Sequence, residues 1–123
     1  MSRARISPTI ELEYETFGDS KNPALLLIMG YTAQMVAWEE EFCQMFAAQN
    51  LFVIRFDNRD CGLSTIFDGV EVDVNAVIAA ALMEDPIPPV PYTLSHMAGD
   101  VVGLLDYLKI ERAHVLGASM GGM

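Results

Sequence analysis

Basic side chains are scarce: seven Lys and Arg stand against 17 Asp and Glu, a formal net charge of −10 over 123 residues. No Lys/Arg patch accumulates, and nucleic acid or an anionic membrane needs such a patch to neutralise phosphate, so neither is expected as a partner. The acidic residues are dispersed, as at Glu39 to Glu41, Asp68 to Asp73 and Glu84-Asp85, and form a solvated surface rather than a tail. Cysteine is limited to Cys43 and Cys61, with no CxxC spacing, and His96 and His114 lie far from either in sequence, which removes support for a zinc site. Long apolar runs are missing too. The longest, Ala24 to Met29, is far too short to span a bilayer. The first residues, MSRARISPTIELEYE, carry basic charge with no apolar stretch behind it, so no secretory signal is read and a cytoplasmic protein is expected. No internal repeat appears, and nothing implies a cofactor.

What is present suits one domain with a real core: 52% of residues are hydrophobic and 20% charged. Thr9 to Phe17 alternates polar and apolar residues, with Ile10, Leu12, Tyr14 and Thr16 on one side, as in a half-buried strand ended by the turn Gly18 to Pro23. Ala24 to Met29 (ALLLIM) and Leu51 to Phe56 (LFVIRF) are unbroken apolar-rich runs, the signature of strands covered on both faces. Between them Trp38, Phe42, Met45 and Phe46 recur at helical spacing, predicting a helix over roughly 35–48 with Cys43 as a small buried hydrophobe on it. A second helix is predicted over 73–83, capped by Asp73, with Val74, Val77, Ile78, Ala81 and Leu82 on one face. Pro86 to Pro91 must be an extended connector. Thr93 can cap a third helix, with the stripe Met97, Val101, Leu104, Leu105 and Leu108, before a third core strand at Ala113 to Leu116. Strands alternating with helices predict an α/β fold with parallel strands and right-handed crossovers.

Gly117-Ala118-Ser119-Met120-Gly121 follows that last strand directly and matches G-x-S-x-G. In this motif the serine sits on a sharp strand-to-helix turn that lifts its Oγ above the sheet. Gly117 and Gly121 are expected because a side chain at either place would strike neighbouring backbone. The backbone N–H of Met120 would point at the oxygen of a bound acyl group and form half of an oxyanion hole. The competing reading is a glycine-rich turn that only packs a helix against the sheet.

The chain resembles the N-terminal part of the α/β-hydrolase superfamily over nearly all its length. The oxyanion loop of that family corresponds to Leu27-Ile28-Met29-Gly30-Tyr31, with Met29 where histidine often stands, which implies the backbone N–H of Tyr31 as the second oxyanion donor. The family's D-x-R-x-x-G-x-S turn stands here as Asp57-Asn58-Arg59-Asp60-Cys61-Gly62-Leu63-Ser64. The Met-Gly loop, the Arg59-Asp60 pair and the Pro-Val-Pro-Tyr connector are similar to one branch, which includes esterases acting on methyl esters of anthracycline-type polyketides. The resemblance implies a mostly parallel sheet flanked by helices, a single partial domain over 1–123, and a serine hydrolase that cleaves carboxylic esters through Ser119.

That chemistry also needs a histidine to take the serine proton and a carboxylate to orient the histidine. In the family both follow the nucleophile, yet His96 and His114 precede Ser119 and only four residues come after it. Both histidines are therefore read as structural. Asp57 and Arg59 are read as fixing their turn through bonds to backbone rather than as a catalytic acid and an anion clamp. Cys61 lacks a base or helix N-terminus that would activate it. Two classes of function stay open: an ester hydrolase acting on a small-molecule substrate in a longer form, inactive as these 123 residues, or a non-catalytic truncated or complementing piece. A cofactor-free haloperoxidase-like or C–C bond hydrolase is the alternative among enzymes. An uncovered sheet edge at 113–116 makes self-association an expectation.

Overall fold

The computed structural model describes residues 1–123. Its strands are β1 (Ser2–Arg5), β2 (Glu11–Phe17), β3 (Ala24–Ile28), β4 (Phe52–Phe56) and β5 (Ala113–Gly117). Its α-helices are α1 (Glu40–Ala47), α2 (Val74–Leu82) and α3 (Leu94–Tyr107), with 3₁₀ turns at Met35–Ala37 and Ser119–Gly122. The five strands form one mixed sheet in the order β1-β2-β4-β3-β5. β3 pairs in parallel with β4 on one side and with β5 on the other, while β1 and β2 join antiparallel at the far edge.

The apolar runs explain the layering. Within β3, Leu26 faces a core of Leu12, Ile54, Phe56 and Leu104, against which α3 packs. Its neighbours Leu25 and Leu27 point the other way, to Phe17, Val53 and Cys43, where α1 packs with Phe46 and Trp38. Alternation along one strand thus feeds two opposite cores, which is why the run reads as continuously apolar. Cys43 is fully buried among these side chains, in line with its reading as a small hydrophobe.

This arrangement positions the site. From β3 the chain crosses by α1 to one neighbour, and the later crossover through α3 reaches the other neighbour from the opposite face. The strand order therefore reverses at β3, and the loops leaving the C-terminal ends of β3 and β5 open a crevice between them.

Three expectations change, and one strand is added that no sequence pattern predicts. The helix predicted over 35–48 is broken: the first turn is 3₁₀ and α1 starts only at Glu40. The backbone is diverted because the Trp38 carbonyl accepts from the Arg55 guanidinium, and Asp57 takes the Met35 N–H. Arg55 itself is buried in β4, held by Glu15 opposite it on β2. α2 forms with its Asp73 cap, the carboxylate accepting from the Ala76 N–H at 3.0 Å, but it buries no residue. Val74, Ile78 and Leu82 stay exposed, so the apolar face predicted for α2 is uncovered here. β5 is an edge strand with His114, Val115 and Leu116 exposed, rather than a strand sealed on both faces. The added strand is β1. It is a polar ribbon held to β2 by Arg3 with Glu13 and Arg5 with Glu11, and Ala4 is its one buried residue. No helix is long and apolar enough to cross a membrane.

Candidate active site

Ser119 follows β5 with φ +55°, the left-handed region that a non-glycine residue occupies at a cost of about 1–3 kcal/mol. The turn is closed by the Gly121 N–H donating to the Ala118 carbonyl at 2.9 Å, and the Ala118 N–H ties back to Ile28 at 3.0 Å. Backbone packs on backbone beneath the serine. A Cβ on Gly117 would sit 2.5 Å from the Gly121 carbonyl carbon, and one on Gly121 2.7 Å from the Ile28 carbonyl carbon. Ordinary contacts begin near 3.4 Å, so both glycines exist for close approach.

The loop after β3 lies against this turn. A Cβ built on Gly30 would be 2.9 Å from the Ala118 carbonyl oxygen, 3.0 Å from Ser119 Cβ and 3.4 Å from the Met120 nitrogen. Tyr31 and Met120 line one cleft of about 390 Å³ together with Gly30, Asn58, Arg59 and Tyr92. A smaller cavity of about 110 Å³, lined mainly by apolar residues such as Leu94, Met97 and Val101, runs from Met120 toward α3. Ser119, Tyr31, Met120, Gly117 and Gly121 are thus gathered at one end of the sheet.

The 57–64 turn organises the opposite wall. Buried Asp57 accepts from the Met35 N–H at 2.7 Å and from the Leu63 N–H at 3.0 Å. Ser64 Oγ donates to the Asp57 carbonyl at 2.6 Å and accepts from the Glu13 N–H at 2.9 Å, joining the turn to β2. Asp57 therefore plays the turn-fixing part read from the sequence. Arg59 does not: its guanidinium forms two bonds, 2.6 and 2.7 Å, to the carboxylate of Asp100 on α3. Phe67 and Tyr92 flank the guanidinium at 5.6 and 5.4 Å, and the Tyr92 hydroxyl donates to Asp60 at 3.0 Å. The bonds to Asp100 hold Arg59 above the ordinary arginine pKa, so it stays charged at every accessible pH. Burial, then the Asp60 bond, raises the Tyr92 phenol.

Asp100 escaped the sequence reading. Its signal was present: on α3 it falls within the apolar stripe between Met97 and Leu104, where a carboxylate needs a partner. Both members of the pair are about nine-tenths buried at their side chains. Asp100→Ala should lower stability by about 3–5 kcal/mol, because it strands a buried guanidinium. A double Arg59→Met, Asp100→Leu variant should recover much of that loss, and urea midpoints of both proteins check the pair.

The two histidines stand on α3 and β5. His96 Nδ1 accepts from the Thr93 backbone N–H at 2.9 Å and so completes the cap of α3. His114 is exposed on β5, where it pairs across from Leu25. Neither hydrogen-bonds Ser119. Burial first, then the Asp57 and Asp60 carboxylates, push the Cys61 thiol up from its ordinary range, the reverse of what a thiolate nucleophile needs.

A sheet reversing at β3, a loop after it that packs on the turn following β5, and a strained serine on that turn are the N-terminal portion of the α/β-hydrolase fold, and the chain is similar to members of that superfamily. Within it, the chain is 34% identical over 112 residues to rhodomycin D methylesterase DauP of Streptomyces sp. (strain C5), matching 91% of this chain and 32% of that protein. It is 28% identical over 114 residues to 3-oxoadipate enol-lactonase 2 of Acinetobacter baylyi, matching 93% of this chain and 34% of that protein. Among solved structures, the enol-lactonase from Burkholderia xenovorans LB400 superposes with a TM-score of 0.71 at 28% identity, covering 98% of this chain and 38% of its own. The chain therefore spans about a third of the length of the curated relatives it matches. No family model matches it.

Proposed function

We propose that this chain carries the nucleophile and both oxyanion donors of a carboxylic-ester hydrolase working by acyl transfer. The observation that carries the reading is Ser119 at φ +55°, raised on a turn packed tightly enough to exclude any side chain at Gly117 or Gly121. Ser119 Oγ attacks the ester carbonyl carbon, a histidine takes the hydroxyl proton, and the oxygen that becomes negative is met by the Tyr31 and Met120 N–H groups. The alcohol leaves with that proton, and water then releases the acid by the same route. The methylesterase and lactonase relatives both open an ester bond, which supports an ester as the substrate class.

The histidine and its carboxylate are assigned to the part of the fold that these 123 residues do not include. His96 is committed to its helix cap, and His114 stands on the strand before the elbow. The 123 residues alone are accordingly expected to turn over ester near background. An alkyl fluorophosphonate provides the test, since its phosphorus is attacked by an activated serine and fluoride leaves. In the full-length polypeptide, mass spectrometry should find Ser119 modified, with no other serine. Absence of the adduct at Ser119 in an ester-hydrolysing preparation would sink the assignment.

A further inference from the structure

We infer that Asn58 is the positioning residue of the oxyanion loop, acting through the Met29 carbonyl to set where the Tyr31 N–H points. The inference rests on the acyl-transfer reading of Ser119. It concerns a residue that makes no contact with the reacting atoms in that reading.

The loop from Met29 to Met35 has little to hold it in place by itself. Tyr31 is 78% exposed, Thr32 sits at φ +63°, and the internal bond from the Ala33 N–H to the Gly30 carbonyl is 3.3 Å. Beyond the packing of Gly30 on the elbow, its side-chain hydrogen bonds come from one neighbouring turn. The Asn58 amide nitrogen donates to the Met29 carbonyl at 2.9 Å, at the start of the loop. Asp57, the residue before it, accepts from the Met35 N–H at the other end, and the Cys61 thiol lies 3.3 Å from the Ala33 carbonyl in between. Side chains at 57, 58 and 61 thus grip the loop at both ends and near its middle.

The grip at Met29 matters most for the reacting geometry. That carbonyl lies between Asn58 and the elbow, with its oxygen 2.9 Å from where a Gly121 Cβ would stand. Asn58 is buried, so its amide is not free to seek water. A peptide unit pinned through its carbonyl has its plane set, which aims the Gly30 N–H, and the close packing of Gly30 on Ala118 and Ser119 restricts the φ and ψ rotations that carry this orientation on to the Tyr31 N–H. An oxyanion donor must lie within about 2.7–3.1 Å of the developing charge, so a small rotation here removes much of its effect.

The experiment uses the full-length enzyme with Asn58→Ala and Asn58→Asp. The first deletes the donor, and the second places a carboxylate oxygen against the Met29 carbonyl with almost no change of shape. Sites are counted by the stoichiometry of fluorophosphonate labelling at saturation, so misfolded molecules drop out of kcat, and either variant carries the comparison if the other fails to fold. On p-nitrophenyl acetate, kcat is expected to fall about 10- to 100-fold, below the 10²- to 10³-fold of a donor removed outright, with KM within about threefold. Affinity for an alkyl boronic acid, whose tetrahedral adduct needs the same hole, should fall by a factor similar to that in kcat. Both variants retaining kcat and boronic acid affinity within about twofold would overturn the role of Asn58, as would a change in KM alone. Retained hydrolysis in Ser119→Ala would instead remove the reading on which the role depends, so the two failures are distinguishable.

Discussion

Ser119→Ala in the full-length enzyme is expected to lower kcat for p-nitrophenyl acetate by about 10⁶-fold, the order of loss when a triad serine is removed. That corresponds to about 8 kcal/mol of barrier. Binding of the ester should change little, because the cleft beside Tyr31 and Met120 is walled by other groups. Some acceleration over water should survive, since the two backbone donors proposed for the hole, at Tyr31 and Met120, remain and can still stabilise attack by water. Folding should be intact, as Ser119 is exposed and the Cβ that bears the strain of φ +55° is kept. Two comparison variants sharpen the result. His114→Asn and His96→Asn should each keep most of the rate, the latter with a modest loss of stability from the opened cap on α3. Hydrolysis unchanged in Ser119→Ala would end the serine mechanism. A strong rate in the bare 123 residues, lost with either histidine, would mean that the base lies within them.

Gly121→Ala should be one of the two most costly single methyls added at the elbow, with Gly117→Ala the other. The new Cβ would press on the Ile28 and Met29 carbonyls, which belong to β3 and the loop leaving it. Backbone cannot swing aside as a flexible side chain does, so either the end of β3 moves or the turn opens. A loss of about 3 kcal/mol or more is expected, at the severe end for a single substitution. Separation of the two segments would also pull the Met120 and Tyr31 N–H groups apart, so phosphonate labelling of Ser119 should slow in the molecules that still fold. Gly122→Ala is the control next door: its Cβ would meet nothing nearer than 3.6 Å, an ordinary contact. A shift within about 0.5 kcal/mol is expected there. Thermal unfolding of the two variants side by side decides the matter, and equal midpoints would contradict the packing argument.

Local patterns in the sequence determined the elements whose causes are local. The buried runs of β3 and β4, the caps at Asp73 and Thr93, and the glycine-flanked serine after β5 each follow from side-chain period, hydrogen-bonding type or steric room within a few residues. The parallel direction of β3, β4 and β5 follows too, since helical crossovers between apolar strands leave few alternatives, whereas their order, with β3 between the other two, does not. Only the tertiary structure decided what depends on partners distant in the chain. β1 is a strand because Glu11 and Glu13 wait opposite Arg3 and Arg5, not because SRAR favours one. Arg59 serves Asp100, 41 residues away, and Asn58 serves Met29, 29 residues back. The apolar face of α2 was legible as a pattern, but a pattern does not say whether anything covers it. Periodicity reports which side chains prefer to leave water. Which partner receives them, and which buried polar group completes another's bonds, is settled only when strands far apart in sequence are brought side by side.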